Sequence, residues 1–556
     1  MPLTVKEQLE ELFSRQLTTA FPGVDLPVVE LEPPAQRHHG DLACHVALKS
    51  AGILRRNPLQ IAEEMRAAFQ EALEASPLKE QVAALETCPP GFINIRLSQR
   101  AVCAVLDQVL AQKNDYGRSS LGQGQKVQVE FVSANPTGPL SVAHGRQAAV
   151  GDALVNILNF LGFAACREYY VNDGGNQIRL LGRSLACRAR ELLGEEIPFP
   201  EDGYQGEYIK EMARVFIEER RVTSLSALSA IEPEAFEEFG KRHLLGVIRQ
   251  ELEDFGVRFD TWSYESRVAS KEKIQEVLQA LNQKGLTYEQ DGALWFASTR
   301  FGDDKDRVLR KSDGTYTYLS PDIAYHKDKF ARGFQKVFDI LGPDHHGYIK
   351  RITAAAVALG QPAEALRVLI VQLATIYRHG QKVSMSTRGG QYITLREVMR
   401  EVGPQAARFF FLMRSMKAHL DFDLDLAKKQ SSENPVYYIQ YAHARICSVM
   451  AQAARRGLQA RQKNFERLAA LEERDLIKKL EQFPRTVRVC QQQMDPYPLV
   501  PYLQELAGLF HKFYDRHRVV TDDEDLSAER LGLIQAARIV LANGLRLLGL
   551  QAPEKM

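Results

Sequence analysis

The stretch EFVSANPTGPLSVAHGR, residues 130–146, decides how this chain folds. It continues the β-rich residues 127–132 and passes through a loop of Asn, Pro, Thr and Gly. From Gly145 to Leu161 apolar residues recur at helical spacing. A strand, a loop of small residues and a helix place backbone N–H groups and the positive end of the helix dipole against a phosphate. The stretch therefore predicts a nucleotide-binding crevice.

Strand and helix patterns alternate outward from this stretch, through residues 116–430. Such alternation is typical of a parallel sheet with helices on its faces. The predicted strands are residues 127–132, 164–171, 336–341 and 367–372. Residues 176–285 are mostly helical and charge-rich, and we interpret them as an insertion between the two halves of this sheet domain.

Different patterns flank the sheet domain on either side. Residues 1–115 predict a small α+β domain, with helices at 5–20, 58–74 and 100–112 and a strand at 91–97. Residues 431–556 predict an all-helical domain with helices at 435–456, 464–482, 499–518 and 527–548. A hairpin is predicted at 307–318 because Asp313-Gly314 lies between β-forming runs.

Length, composition, net charge and cysteine count limit the class of protein. A chain of 556 residues, 45% apolar and 25% charged, is a multidomain globular protein. Its net charge of +1 requires any nucleic-acid surface to be a local basic patch. Seven cysteines without a C-x-x-C pair argue against a disulfide framework and a structural zinc site. No signal peptide or membrane-spanning run is evident, so we expect a cytoplasmic protein.

Three loops could carry chemistry. At the start of the predicted helix, His144 and Arg146 could hold triphosphate oxygens, although a His there often only caps or packs. The loop at 382–390 has hydroxyls, cations and glycines that could close over phosphates. The loop 342–348 follows a predicted strand and contains Asp344 beside two histidines, for which ribose and adenine contacts are favoured over a metal.

Longer motifs make a family resemblance specific. The chain resembles a class I aminoacyl-tRNA synthetase and, within that class, a bacterial-type arginyl-tRNA synthetase. The resemblance covers nearly the whole chain and is carried by residues 130–152, REYYVNDGGNQ (167–177), LRKSDGTYTY (309–318), DIAYHK (322–327), DHHGY (344–348), SSENPVYY (431–438), HGDLA (39–43), PGFIN (90–94) and APEKM (552–556).

The resemblance implies an α/β Rossmann-type catalytic domain, an added N-terminal domain that contacts tRNA and a C-terminal helical bundle that binds the anticodon. It also implies a reaction in two steps. The arginine carboxylate attacks the α-phosphate of ATP, giving arginyl-adenylate and pyrophosphate, and the 2′-hydroxyl of the terminal tRNA adenosine then accepts the arginyl group. Magnesium accompanies the ATP, no tightly bound cofactor is expected, and such enzymes are usually monomers that need bound tRNA for activation.

Motif positions assign roles by resemblance. The implied residues are Glu130, Ser133, Asn135, Tyr318 and Asp322 for arginine; Gly138, His144, Arg146, Gly342, Asp344, His345 and Met385 for ATP; Ser141, His144, Ser386 and Arg388 for catalysis; and Tyr437, Tyr441 and Arg445 for tRNA. A guanidinium is best bound by carboxylates in fork geometry, and stacking on aromatic side chains suits RNA. The alternative is that these residues have only structural roles. The residues assigned to arginine would then belong to an ordinary strand end, turn, hairpin and helix start, and the two C-terminal tyrosines to the core at a domain junction.

Two signatures depart from the family pattern. The His-x-Gly-His signature reads Ser141-Val142-Ala143-His144, and both lysines of the second signature are absent from residues 384–388. We expect Arg388 to supply part of the missing charge. The rival hypotheses are a paralogue that binds tRNA or arginine without activating it, and a nucleotidylyltransferase that does not use tRNA.

Overall fold

The computed structural model describes residues 5–34, 36, 39–383 and 392–556. The N-terminal part contains α1 (Val5–Ala20), β1 (Leu31–Glu32), β2 (Leu42–Cys44), α2 (Val46–Leu54), α3 (Pro58–Glu74), β3 (Val82–Cys88), β4 (Phe92–Leu97) and α4 (Gln99–Gln112). Its antiparallel sheet has the order β1-β2-β4-β3. Helices α1 and α3 close its core, where the Phe13 and Phe69 rings stack with centroids 4.2 Å apart.

Helix α4 belongs with the C-terminal helices, and not with the N-terminal domain as the predicted boundary at residue 115 implies. The N-terminal core includes residues from Leu9 to Ile95, whereas the apolar side of α4 packs into the core of the rest of the molecule. Gln99 donates to the Leu468 carbonyl at 2.5 Å. An ion pair also joins the two parts, because the buried Asp41 carboxylate lies 2.8 Å from the Lys478 ammonium.

The middle of the chain alternates strands and helices. In chain order it contains β5 (Lys126–Glu130), α5 (Val142–Phe160), β6 (Ala164–Val171), α6 (Gly175–Leu192), α7 (Glu207–Glu219), α8 (Leu225–Ser229), α9 (Pro233–Asp254), β7 (Thr261–Tyr264), α10 (Glu265–Val268), α11 (Lys271–Gln283), β8 (Thr287–Gln290), β9 (Ala293–Phe296), β10 (Arg307–Arg310), α12 (Leu319–Ala331), β11 (Lys336–Leu341), α13 (Ile349–Ala358), β12 (Leu366–Ile370), β13 (Ala374–Arg378), β14 (Gln381–Lys382), α14 (Leu395–Val402), α15 (Pro404–Phe411), β15 (Leu420–Asp423) and α16 (Leu424–Lys428).

The central sheet is parallel and has the strand order β12-β11-β5-β6-β7. The chain builds outward from β5 in one direction through β6 and β7, and later in the other direction through β11 and β12. The order therefore reverses between β5 and β11, and ligands of open α/β sheets bind beside the carboxyl ends of the strands at such a switch point. The parallel sheet confirms the Rossmann-type prediction.

The helical insertion is shorter than predicted. Helices α6 to α9 form a separate apolar core. The chain then returns to the central sheet as β7, so the predicted range 176–285 includes a sheet strand and two helices beyond it. Strand β7 has four residues and only one of them, Ser263, is fully buried, which leaves little apolar periodicity in the sequence.

The remaining strands form two small sheets, β10-β9-β8 and β14-β13-β15. The predicted hairpin turn forms, since the Lys311 N–H donates to the Thr315 carbonyl at 2.8 Å. Its second arm makes a single bridge, Arg310 to Tyr316, because the chain enters α12 three residues later.

The C-terminal part is all helical, as predicted: α17 (Pro435–Arg455), α18 (Leu471–Glu481), α19 (Phe483–Gln493), α20 (Leu499–Arg516) and α21 (Glu524–Leu547). Helix α19 was not predicted, although Pro484 at its start is typical of a new helix. The described part of the chain contains no helix long and apolar enough to cross a bilayer.

A buried guanidinium joins this bundle to the sheet domain. Arg408 of α15 is fully buried, pairs with Asp152 of α5 and donates to the Leu548 carbonyl at 2.6 Å. Gly549 lies against it with φ +71°, and a Cβ there would meet the guanidinium at 2.2 Å. The end of α21 is therefore fixed to the helix that starts at the crevice.

Candidate active site

The backbone turns sharply where β5 ends. Val132 and Ser133 have φ values of 68° and 41°, in the left-handed region that β-branched and other non-glycine residues seldom adopt. The Ser133 hydroxyl donates to Glu130 at 2.9 Å and accepts from the Tyr170 N–H at 3.1 Å. Strained backbone of this kind occurs at ligand sites, where the surroundings hold it in place.

Two tyrosines hold the loop that follows. The Tyr208 hydroxyl of α7 donates to the Thr137 carbonyl at 2.7 Å, and the Tyr392 hydroxyl donates to the Pro139 carbonyl at 2.9 Å. A Cβ on Gly138 would lie 3.3 Å from the Tyr208 hydroxyl and 3.2 Å from the Tyr392 hydroxyl. Glycine therefore lets both phenols close on the loop, and the insertion reaches the crevice through Tyr208.

Helix α5 begins at Val142, three residues before the predicted start. Ser141 becomes its N-cap, and the His144 Nδ1 accepts from the Ser141 N–H at 3.1 Å. Burial lowers the pKa of His144 to about 4. Near neutral pH the ring is therefore neutral, Nδ1 is the acceptor and Nε2–H remains as a donor.

The interpretation of Arg146 as an ATP ligand is contradicted by its position. Its side chain is fully buried. The guanidinium donates to the carbonyls of Gln372 at 2.7 Å, and of Ser415 and Ala418 at 3.0 Å each. Arg146 thus ties α5 to the segments around β13 and β15, and does not face the crevice.

The loop after β11 lies across the switch point. Gly342 directly follows the strand, and a Cβ there would meet the Asp344 Oδ1 at 2.7 Å. Asp344 and His345 are exposed, and their charged atoms lie 3.5 Å apart. Over the described residues no group of three His, Cys, Asp or Glu side chains is arranged to hold a metal ion.

The residues predicted for arginine differ in their surroundings. Glu130 and Asp322 lie near each other beneath the switch point, each within electrostatic range of the other. Asn135 is exposed and donates to Gln177 of α6 at 2.7 Å. Tyr318 is 91% exposed, at the entrance to α12. Only part of the predicted set is thus brought together in the unliganded molecule.

Asp322 is the most unusual of these carboxylates. Burial raises its pKa to about 7, with His326 opposing the rise and Glu130 and Glu265 adding to it. No donor among the described residues makes a hydrogen bond to the Asp322 carboxylate, so no cation among them contacts it directly. Other acidic side chains lie within electrostatic range of it. A cation placed there would form a charge-assisted hydrogen bond in a low-dielectric site.

Sequence reasoning missed the charged network under the crevice. The Lys329 ammonium is fully buried, 2.6 Å from Glu130 and 2.7 Å from Asp339. His326 lies 2.7 Å from the other oxygen of Asp339. Asp322, His326 and Lys329 fall at positions i, i+4 and i+7 of one helical face. That spacing was a signal, because charged residues on the buried face of a helix require partners.

The C-terminal residues predicted for tRNA form a column on α17. The Tyr437 and Tyr441 rings stack with centroids 6.1 Å apart, and the Arg445 guanidinium lies 5.3 Å from the Tyr441 ring and 4.4 Å from the Tyr514 ring. All three predicted residues are half-buried, so part of each faces solvent. Met385, Ser386 and Arg388 of the second signature lie outside the described residues.

Comparison with known proteins follows the same division of the chain. Residues 6–97 match the model of the arginyl-tRNA synthetase N-terminal domain, residues 105–445 that of the catalytic domain of class I tRNA synthetases (R), and residues 439–556 that of the DALR anticodon binding domain.

Full-length relatives and solved structures agree with these matches. The arginine–tRNA ligase of Syntrophotalea carbinolica is 45% identical, with 99% of this chain and all of that protein covered. That of Bacillus subtilis is 43% identical over the full length of both. A provisionally assigned arginyl-tRNA synthetase structure from Campylobacter jejuni is 34% identical, covers 83% of this chain and all of its own, and has a TM-score of 0.75. The Thermus thermophilus arginyl-tRNA synthetase, 24% identical with a TM-score of 0.73, covers 99% of this chain and all of its own and supports the fold.

Proposed function

Because the chain belongs to the arginine–tRNA ligase family of class I aminoacyl-tRNA synthetases, we propose that it attaches arginine to its cognate tRNA at the crevice between β5 and β11. ATP activates the arginine carboxylate as an adenylate, and the tRNA adenosine then accepts the arginyl group. The full-length similarity to arginine–tRNA ligases gives no support to a paralogue without activity.

The carboxylate of Asp322 is the observation that carries the arginine assignment. Asp322 is half-buried, its carboxylate receives no hydrogen bond from the described residues, and it lies within electrostatic range of Glu130. A guanidinium supplies several donors and a delocalised positive charge, so it satisfies such a site better than any neutral side chain. In this proposal Ser133 and Asn135 complete the pocket, and the exposed Tyr318 closes over the ligand from the entrance to α12.

ATP occupies the nucleotide side of the same crevice in this proposal. The loop at Gly138 and the N-terminus of α5 offer backbone N–H groups and a favourable dipole to phosphate oxygens. The neutral His144 donates through Nε2 without carrying charge. Gly342, Asp344 and His345 are assigned to the ribose and adenine side, and the family resemblance assigns Met385, Ser386 and Arg388 of the second signature to ATP binding and catalysis. Magnesium enters with ATP as part of the substrate.

The tRNA binds along the helical bundle in this proposal. A stack of Tyr437 and Tyr441 continued by the Arg445 guanidinium offers ring faces and a cation to unstacked bases. We propose that the enzyme acts as a monomer in the cytoplasm, where its seven free cysteines suit a reducing compartment.

Arginine-dependent ATP–pyrophosphate exchange tests the proposal. Exchange that requires arginine and increases when cognate tRNA is added supports it. The Asp322→Asn variant should lose arginine-dependent exchange, whereas Glu289→Gln on the exposed strand β8 should not. Absence of exchange in the presence of tRNA, or equal exchange with citrulline in place of arginine, contradicts the proposal.

A further inference from the structure

Three carboxylates lie side by side across the central sheet. Glu168, Glu130 and Asp339 occupy matching register positions on β6, β5 and β11. All three are buried. Like charges in adjacent strands at this depth are strongly unfavourable unless each has a cationic partner.

Helix α12 and its C-cap residue Arg332 supply those partners. Arg332 binds Glu168 through two donors at 2.8 Å each. One turn earlier, Lys329 bridges Glu130 and Asp339. Another turn earlier, His326 reaches Asp339. Spacings of three residues place all three side chains on the face of α12 that lies on the sheet.

The contacts of His326 fix its charge. Its Nε2 lies 2.7 Å from the Asp339 carboxylate and its Nδ1 lies 2.7 Å from the Asp322 carbonyl. A carbonyl and an ionised carboxylate can only accept, so both ring nitrogens must carry hydrogen. Burial alone would raise the pKa of Asp339, but Lys329 and His326 outweigh it and hold that pKa below its usual range. The shared proton therefore resides on the imidazole.

We infer that His326 donates a hydrogen bond from each ring nitrogen and is a positioning residue for arginine. It completes three cation–carboxylate pairs on the sheet, and it anchors the turn of α12 that carries Asp322. Asp322 then remains as the carboxylate beside this row that an incoming guanidinium can neutralise. This inference rests on the proposed function, and it adds a reason why the pocket prefers a charged side chain to a neutral one of the same shape.

Charged and titratable groups surround His326. Asp322 and Tyr325 lie beside it on α12, and Asp339 lies against it on β11. The Lys329 ammonium shares the Asp339 carboxylate with His326 and is also held by Glu130.

The charge on His326 is measured directly by nitrogen NMR of the full-length enzyme with labelled histidine. The chain has 13 histidines, and His326→Gln identifies the resonance of interest by its loss. We expect hydrogen on both ring nitrogens of His326, because each faces an acceptor at 2.7 Å. A ring with hydrogen on only one nitrogen overturns the inference, whatever the outcome of the exchange assay.

Kinetics of His326→Gln test the positioning role. Loss of a charged hydrogen bond should raise the KM for arginine roughly tenfold and leave the KM for ATP unchanged. Because His326 lowers the pKa of Asp322, the acid limb of kcat/KM for arginine should also move to higher pH. The preference for arginine over citrulline should fall. His243→Gln on α9 is the matched control for loss of a histidine.

A second variant keeps the test valid if His326→Gln does not fold. Asp339→Asn removes the ionised acceptor of Nε2, so His326 should lose the hydrogen on that nitrogen. Unchanged kinetics for His326→Gln, or two ring protons on His326 in Asp339→Asn, overturn the inference. Wild-type exchange that does not depend on arginine instead contradicts the proposed function, and leaves the NMR result to decide the charge of His326 by itself.

Discussion

Lowering the pH should weaken arginine use before it affects ATP binding. The free enzyme holds Asp322 with a pKa raised to about 7, mainly by burial. Only the ionised carboxylate attracts a guanidinium. The pH dependence of kcat/KM reports groups of the free enzyme. The value of kcat/KM for arginine should therefore fall along a limb centred on the pKa of Asp322.

The magnitude follows from the ionised fraction. With a pKa of about 7, that fraction falls about tenfold between roughly pH 8 and pH 6. His144 does not contribute in this range, since its pKa is about 4. Exchange kinetics with saturating ATP and tRNA, measured at varied arginine, give the limb. The KM for ATP measured in parallel is the internal control.

The same carboxylate should cost the folded state free energy. The difference between the ordinary pKa of 3.8 and a pKa of about 7 corresponds to about 4 kcal/mol. The folded pKa lies above the unfolded one, so this cost is absent in acid and grows as the pH rises through that range. At about pH 8, Asp322→Asn should therefore unfold at a higher temperature than the wild type while losing arginine-dependent exchange.

Two results would refute this reasoning. A kcat/KM for arginine that stays flat between about pH 8 and pH 6 means that Asp322 is ionised throughout, contrary to its burial. A lower melting temperature for Asp322→Asn, in a scan at about pH 8, means that the carboxylate stabilises the unliganded fold.

Three further predictions concern other parts of the molecule. Gly549→Ala should destabilise the protein by roughly 1–3 kcal/mol in thermal or urea unfolding, because the new Cβ meets the Arg408 guanidinium; Gly457→Ala, at φ +80° with open space around it, is the matched control and should lose less. Tyr441→Ala should weaken tRNA binding in a filter or anisotropy assay by about 1–3 kcal/mol without changing the KM for arginine, whereas Tyr288→Ala should leave tRNA binding unchanged. Arg388→Ala should reduce single-turnover adenylate formation about a hundredfold, and a full rate would contradict its role in binding the phosphates.

Local patterns predicted much of this fold. The bounds of α1, α3, β6 and β11 agree with their predicted ranges, because each is a long amphipathic helix or a run of β-forming residues. Strand β7 escaped notice since four half-exposed residues carry little periodicity. The predicted insertion, residues 176–285, consequently includes this strand of the central sheet.

The site was less predictable than the fold. Motifs located Glu130, His144 and Asp322, but spacing could not tell that Arg146 turns inward to carbonyls more than 200 residues away along the chain. Nor could it show that the proton of His144 is lost to burial. Pairing among Glu168, Glu130 and Asp339 depends on strands that meet only in the folded sheet. The charge state of a side chain and the direction in which it points depend on the tertiary structure, so local sequence patterns do not determine them.

The buried contact of Arg408 with Asp152 and the end of α21 limits how this protein could be taken apart or recombined. A catalytic domain expressed without its helical bundle would keep the guanidinium and lose the Leu548 carbonyl that accepts from it. A bundle grafted from another protein would have to present a carbonyl, and a glycine beside it, at the same place. The last turn of α21 and helix α15 therefore have to come from the same protein. Exchange of anticodon domains between such enzymes should succeed only when the crossover point keeps these two elements together.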